Sequence, residues 1–133
     1  QTLLGRGRLT LILADTSVWA DHLRSVDPVM EQLLADQQVL MHPFVIGELA
    51  MGNLPDRPAF LRSLHRMKSA PKALDNEVLR LVEDGRHFGA GMGWIDAHLL
   101  ASVLLVDHAR LWTRDRRLNQ AAAKHGCSAT LHH

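Results

Sequence analysis

Wound into a helix, residues 94–106 (WIDAHLLASVLLV) would be apolar on nearly every side, which leaves no face suited to water. Such a helix must sit in the middle of a layered structure with other elements packed around it. Asp96, His98 and Ser102 interrupt the run, and it falls short of the ~18 uninterrupted apolar residues of a membrane span. The segment is therefore expected to be the central helix of a globular core, with no membrane association.

The segments around it supply the layers. Residues 9–14 form a short apolar run that stops at Asp15-Thr16-Ser17, the pattern of a buried strand. Residues 38–41 and 110–113 read as two further strands, and residues 127–131 as a last, short one. Helices are predicted over residues 17–23, from Asp27-Pro28 through Leu34, over 44–51, across Phe60, Leu61, Leu64 and Met67, over 75–88 and over 116–124. Residues 54–58 make a turn and the Gly-rich residues 89–93 a flexible break. Strands alternating with helices argue for an α/β domain with a mainly parallel sheet.

At 133 residues and 47% hydrophobic, the sequence fits one domain with a core, read as residues 10–131 behind an extension of residues 1–9. The start lacks an initiating Met, which suggests trimming, and is too short and polar for a signal peptide. His132-His133 reads as a natural end or a tag remnant. The one cysteine, Cys127, rules out an internal disulfide and a Cys-rich zinc site, and a free thiol suits a reducing cytoplasm. With a net charge of +1 and a pI near 8.2, any nucleic acid would have to be held by local basic patches.

In parallel α/β sheets, functional groups collect beyond the carboxyl ends of the strands. Asp15 and Asp115 are both placed there. Of the 14 Asp and Glu residues, Asp21, Asp36, Asp56, Glu83 and Asp84 read as ordinary solvated charges. Glu48 differs, because its helical neighbours Phe44, Val45, Met51 and Gly52 offer it no cation. Asp96 stands at the start of the apolar helix. Asp96, Asp115 and Asp15 each have helix capping as an alternative role. Brought together, the four would repel by ~4 kcal/mol per close pair unless protonated or bridged by a cation. An all-oxygen donor set points to Mg²⁺ or Mn²⁺ rather than zinc, and the nine histidines show no His-x-x-x-His pair.

Four segments carry a resemblance: Ile12-Leu13-Ala14-Asp15-Thr16-Ser17-Val18-Trp19, Val45-Ile46-Gly47-Glu48-Leu49, Ile95-Asp96-Ala97-His98-Leu99-Leu100-Ala101-Ser102, and Leu111-Trp112-Thr113-Arg114-Asp115-Arg116-Arg117-Leu118. In this order and spacing they resemble the PIN-domain ribonucleases, and among them the VapC-type toxins of bacterial toxin–antitoxin pairs. The resemblance implies a three-layer α/β/α fold and a Mg²⁺- or Mn²⁺-dependent endoribonuclease. Asp15, Asp96 and Asp115 would ligate the ion directly or through water, and Glu48 would hold one of its waters or a second ion. It also implies an antitoxin of the VapB type and a homodimer, for which Leu23, Val29, Met30 and the apolar side of the Phe60–Met67 helix are candidate surfaces.

Ser17 and Thr113 place hydroxyls beside the aspartates as orienting donors, while Thr16 is the alternative helix cap. Relatives often carry a further acid where this chain has Arg117. Asn119, one helical turn beyond Asp115, is the candidate oxygen in its stead, and a single ion is expected. Arg114, Arg116 and Arg117 are candidate RNA phosphate contacts. Arg57, Arg62, Arg66, Lys68 and Lys72 read as a solvated face. Residues 89–93 fail the Gly-x-Gly-x-x-Gly spacing of a phosphate cradle. Of the three tryptophans, Trp19 is expected to be the most exposed. A receiver-type signalling domain would need paired acids after the first strand, where Thr16-Ser17 stand, and Ser17 also breaks an Asp-x-Asp phosphatase pair. The remaining alternative is a PIN-like RNA-binding or interaction domain with little catalysis.

Overall fold

A computed structural model describes residues 9–131. Three strands form one parallel sheet in the order β2-β1-β3: β1 (Leu11–Ala14), β2 (Val39–Leu40) and β3 (Ala109–Trp112). Ile12, Leu13 and Ala14 are all buried. Successive strand residues point to opposite faces, so both faces of β1 are covered, as a parallel sheet requires. Among the described residues, seven helices accompany the sheet: α1 (Thr16–Arg24), α2 (Pro28–Ala35), α3 (Pro43–Ala50), α4 (Arg57–Arg66), α5 (Asp75–Asp84), α6 (Trp94–Leu104) and α7 (Arg116–Lys124). The architecture is the expected three-layer α/β/α.

Helix α6 is the central one, with every residue from Ala97 to Val103 buried. The helix starts follow local chemistry. Asp27 caps α2 by accepting from the amides of Val29 (2.8 Å) and Met30 (3.3 Å), with Pro28 in the first turn where no amide donor is needed. His42 caps α3 through Nδ1, which accepts from the Phe44 amide at 3.0 Å.

Several expectations are corrected. Residues 127–131 are not a strand: only Ser128 bridges β3, opposite Leu111. The Cys127 amide donates back to Ala122 at the end of α7 at 2.9 Å, and the only backbone bonds joining the segment to β3 among the described residues run from the Leu111 amide to Cys127 O and from the Ala129 amide to Leu111 O. Helix α5 stops at Asp84 rather than residue 88, because Gly85 caps it and Arg86 turns left-handed at φ 55°. Trp19 is buried at 2% exposure and Met30 fully, which removes Met30 as interface material, whereas Leu23 remains partly exposed. The readings of residues 1–8 and of His132-His133 lie outside the described residues. Among the described residues no helix is long and apolar enough to cross a membrane.

Candidate active site

Strand β1 ends at Ala14, and the next residue, Asp15, is buried as the N-cap of α1. Both its oxygens are held. Ser17 Oγ donates to Oδ1 at 2.5 Å and the Val18 amide to the same atom at 3.3 Å, while Thr113 Oγ1 donates to Oδ2 at 2.5 Å. The two hydroxyls also accept, each from the loop that follows β3. Ser17 Oγ receives the Arg114 amide and Thr113 Oγ1 the Asp115 amide, both at 3.0 Å. A pair of hydroxyls thus fixes Asp15 and ties it to the loop carrying Asp115, the N-cap of α7 through the Leu118 amide at 3.0 Å.

Asp96 sits in the first turn of α6, where its Oδ2 accepts from the Gly93 amide at 3.3 Å. Its carboxyl is pushed up from the ordinary carboxylate range, first by burial; the Gly93 amide opposes the rise, and Asp115, Asp15 and Glu48 add to it. All three other members of the predicted set therefore act on Asp96. Glu48 is exposed on α3, and Thr16 Oγ1 donates to its Oε1 at 2.7 Å. The hydrogen bonds of Asp96, Asp115 and Glu48 engage one oxygen each. The four acids converge from four separate helix starts and faces beyond the carboxyl ends of β1 and β3.

Thr16 is the residue sequence reasoning assigned elsewhere. Asp15 does the capping, which frees the Thr16 hydroxyl to hold Glu48. Its position beside Asp15 was the available signal.

Two predicted site residues are used otherwise. Asn119 Oδ1 accepts from Ser128 Oγ at 2.5 Å, tying α7 to the C-terminal segment, so it does not serve as the substitute oxygen. Arg114 donates to Asp21 at 3.0 Å and to the buried Asp27 at 2.9 Å, and its guanidinium lies 5.2 Å from the Trp112 ring centre. It is a clamp between the β3–α7 loop and the α1–α2 corner rather than a free phosphate contact, and Asp21 is not merely solvated. Arg114→Ala removes the guanidinium from a buried carboxylate and is expected to lower stability by about 2 kcal/mol in urea unfolding. Arg116 is exposed, and Arg117 lies against Gly91, where an added Cβ would meet its Nη1 at 2.8 Å.

The donor set fits a hard divalent cation, being carboxylate oxygen throughout. Among the described residues, no three Asp, Glu, His or Cys side chains stand close enough to hold a metal ion as they are.

No family model matches the chain. It is 48% identical over 116 residues to Ribonuclease VapC32 of Mycobacterium tuberculosis, in two strains, a match spanning 87% of this chain and 94% of the relative. The chain belongs to the VapC family of PIN-domain ribonucleases. A crystal structure of PAE2754 from Pyrobaculum aerophilum superposes with a TM-score of 0.55 at 19% identity, covering 86% of this chain and 88% of that one. At that identity the likeness shows the fold, and it agrees with the PIN-like layering described above. The VapC membership accounts for the four segments read from the sequence as a set.

Proposed function

We propose that this VapC-family chain is a toxin endoribonuclease that hydrolyses RNA phosphodiester bonds with a Mg²⁺ or Mn²⁺ ion held by Asp15, Asp96 and Asp115, with Glu48 engaged directly or through water. The observation that carries the reading is the convergence of these four acids, with the other three acting on the Asp96 carboxyl. A divalent ion bound there would neutralise charge on the scissile phosphate and acidify water. The chain's own residues set the geometry for that chemistry. Ser17 and Thr113 fix both oxygens of Asp15, Thr16 fixes one oxygen of Glu48, and the Gly93 amide fixes one of Asp96. The remaining carboxylate oxygens are available to the ion and to a general base that orients water.

Arg116 and Arg117 are the proposed phosphate contacts beside Asp115. Arg117, standing where a further acid would enlarge the ligand set, supports a single ion. A VapB-type antitoxin and a homodimer are proposed as partners, and the cytoplasm as the compartment.

Incubating the purified chain with RNA tests the reading. Cleavage is expected with Mn²⁺ or Mg²⁺, with loss in EDTA and recovery on re-addition of the ion. RNA binding without cleavage under any of these conditions would favour the interaction-domain alternative.

A further inference from the structure

The three tryptophans divide sharply. Trp19 and Trp112 are buried at 2% and 3% exposure, while Trp94 remains 44% exposed as the first residue of α6. It stands two residues before Asp96. Its ring is braced edge-to-face against His98, with centres 4.9 Å apart and planes at 88°. His98 is itself fully buried and meets Phe44 at 4.9 Å on a further edge contact. Phe44 lies in the first turn of α3, one helical turn before Glu48, and carries the Lys72 ammonium 4.9 Å from its ring centre. The two helices that supply Asp96 and Glu48 therefore also present a partly open indole and an aromatic-held cation. Asp75, bonded to His98 Nε2 at 3.1 Å, is the acidic group beside them.

An indole face and an ammonium are the two features that hold a single nucleic-acid strand: bases stack on the ring and phosphates meet the cation. We infer that Trp94, with Lys72 on Phe44, forms a stacking subsite for a base of the RNA strand flanking the cleaved bond. The inference rests on the ribonuclease reading above. Bound this way, a base would hold the strand in register with Asp96 while the ring itself takes no part in the chemistry. Because every base has a π-face, the subsite favours unpaired RNA over a duplex.

The test uses Trp94→Leu and Trp94→Phe, the second of which keeps a ring. With wild-type catalytic residues and Mn²⁺, Trp94→Leu is expected to raise KM for a single-stranded oligoribonucleotide roughly ten-fold, with little change in kcat. Trp94→Phe is expected to stay near the wild-type KM. In an Asp96→Asn background, the same oligoribonucleotide is expected to quench tryptophan fluorescence, and the quench should vanish in Trp94→Phe while binding persists. Matched thermal melts separate a lost contact from a lost fold. An unchanged KM in a folded Trp94→Leu enzyme that still cleaves overturns the subsite and leaves the ribonuclease reading standing. Absence of cleavage by the wild-type chain strikes the ribonuclease reading instead. Quenching that survives in Trp94→Phe also overturns the subsite, since it would report on Trp19 or Trp112.

Discussion

Asp96→Asn is expected to reduce RNA cleavage by roughly a hundred-fold or more, the scale seen when one charge-stabilising group is removed from a reacting centre. The same substitution is expected to leave the melting temperature unchanged or slightly raised. Asparagine keeps an oxygen for the Gly93 amide, so the start of α6 is preserved. It removes a negative charge that Asp115, Asp15 and Glu48 all oppose. A structural aspartate would behave in the opposite way, with lost stability and retained activity. Paired cleavage assays and thermal melts decide between them, and metal-dependent cleavage surviving in Asp96→Asn would sink the site assignment.

The second large effect concerns acid. His42 is fully buried, with Nδ1 accepting from the Phe44 amide and Nε2 donating to Ser102 Oγ at 3.0 Å. That pairing is made by the neutral ring. Burial, and then the nearby His98 and Lys72, hold its pKa at about 4 against an ordinary 6.5. In the unfolded chain the ring takes up its proton as the pH drops below about 6.5, while in the folded chain it resists until about 4. The unfolded state therefore binds protons first. His42's share of stability is intact above pH 6.5 and lost as the pH falls through about 4, amounting to about 3 kcal/mol across the window. His87, lowered by burial and then by His125 and Lys124, adds a slope of the same sign. His42→Asn retains a side-chain acceptor for the cap but does not titrate. Urea unfolding from neutral pH down to about pH 4 should show a shallower acid decline in that variant. Parallel curves for the variant and wild type would refute the role given to His42.

The positions of the four candidate acids were legible in the sequence because each obeys a local rule. Asp15 and Asp115 follow short apolar strands, Asp96 opens an apolar helix, and Glu48 lacks a helical cation partner, so each could be placed before any contact was known. What could not be read were the long-range choices. Nothing near Arg114 signals that it reaches Asp27, which lies 87 residues away. Nor does Asn119 announce its bond to Ser128. The burial of Trp19 and the exposure of Trp94 depend on which helix face meets the sheet. The last segment alternates well enough for a strand, but its Cys127 amide is spent on the end of α7. Arg114 and Asn119 each satisfy a partner elsewhere in the chain, and periodicity carries no record of such partners.

The order in which the chain is made gives the hydroxyl pair around Asp15 another significance. Asp15 directly follows the first strand, yet its Oδ2 partner, Thr113, is 98 residues later, and Ser17 waits for the Arg114 amide 97 residues on. β1 likewise lacks β3 until Ala109–Trp112 exists. A ribosome releases the N-terminal part first. A nascent chain therefore carries Asp15 and Glu48 before Asp96 or Asp115 has been made. The four acids can come together only once Asp115 has been made, 100 residues after Asp15, so the hydroxyl pair marks the point in synthesis at which the proposed centre assembles.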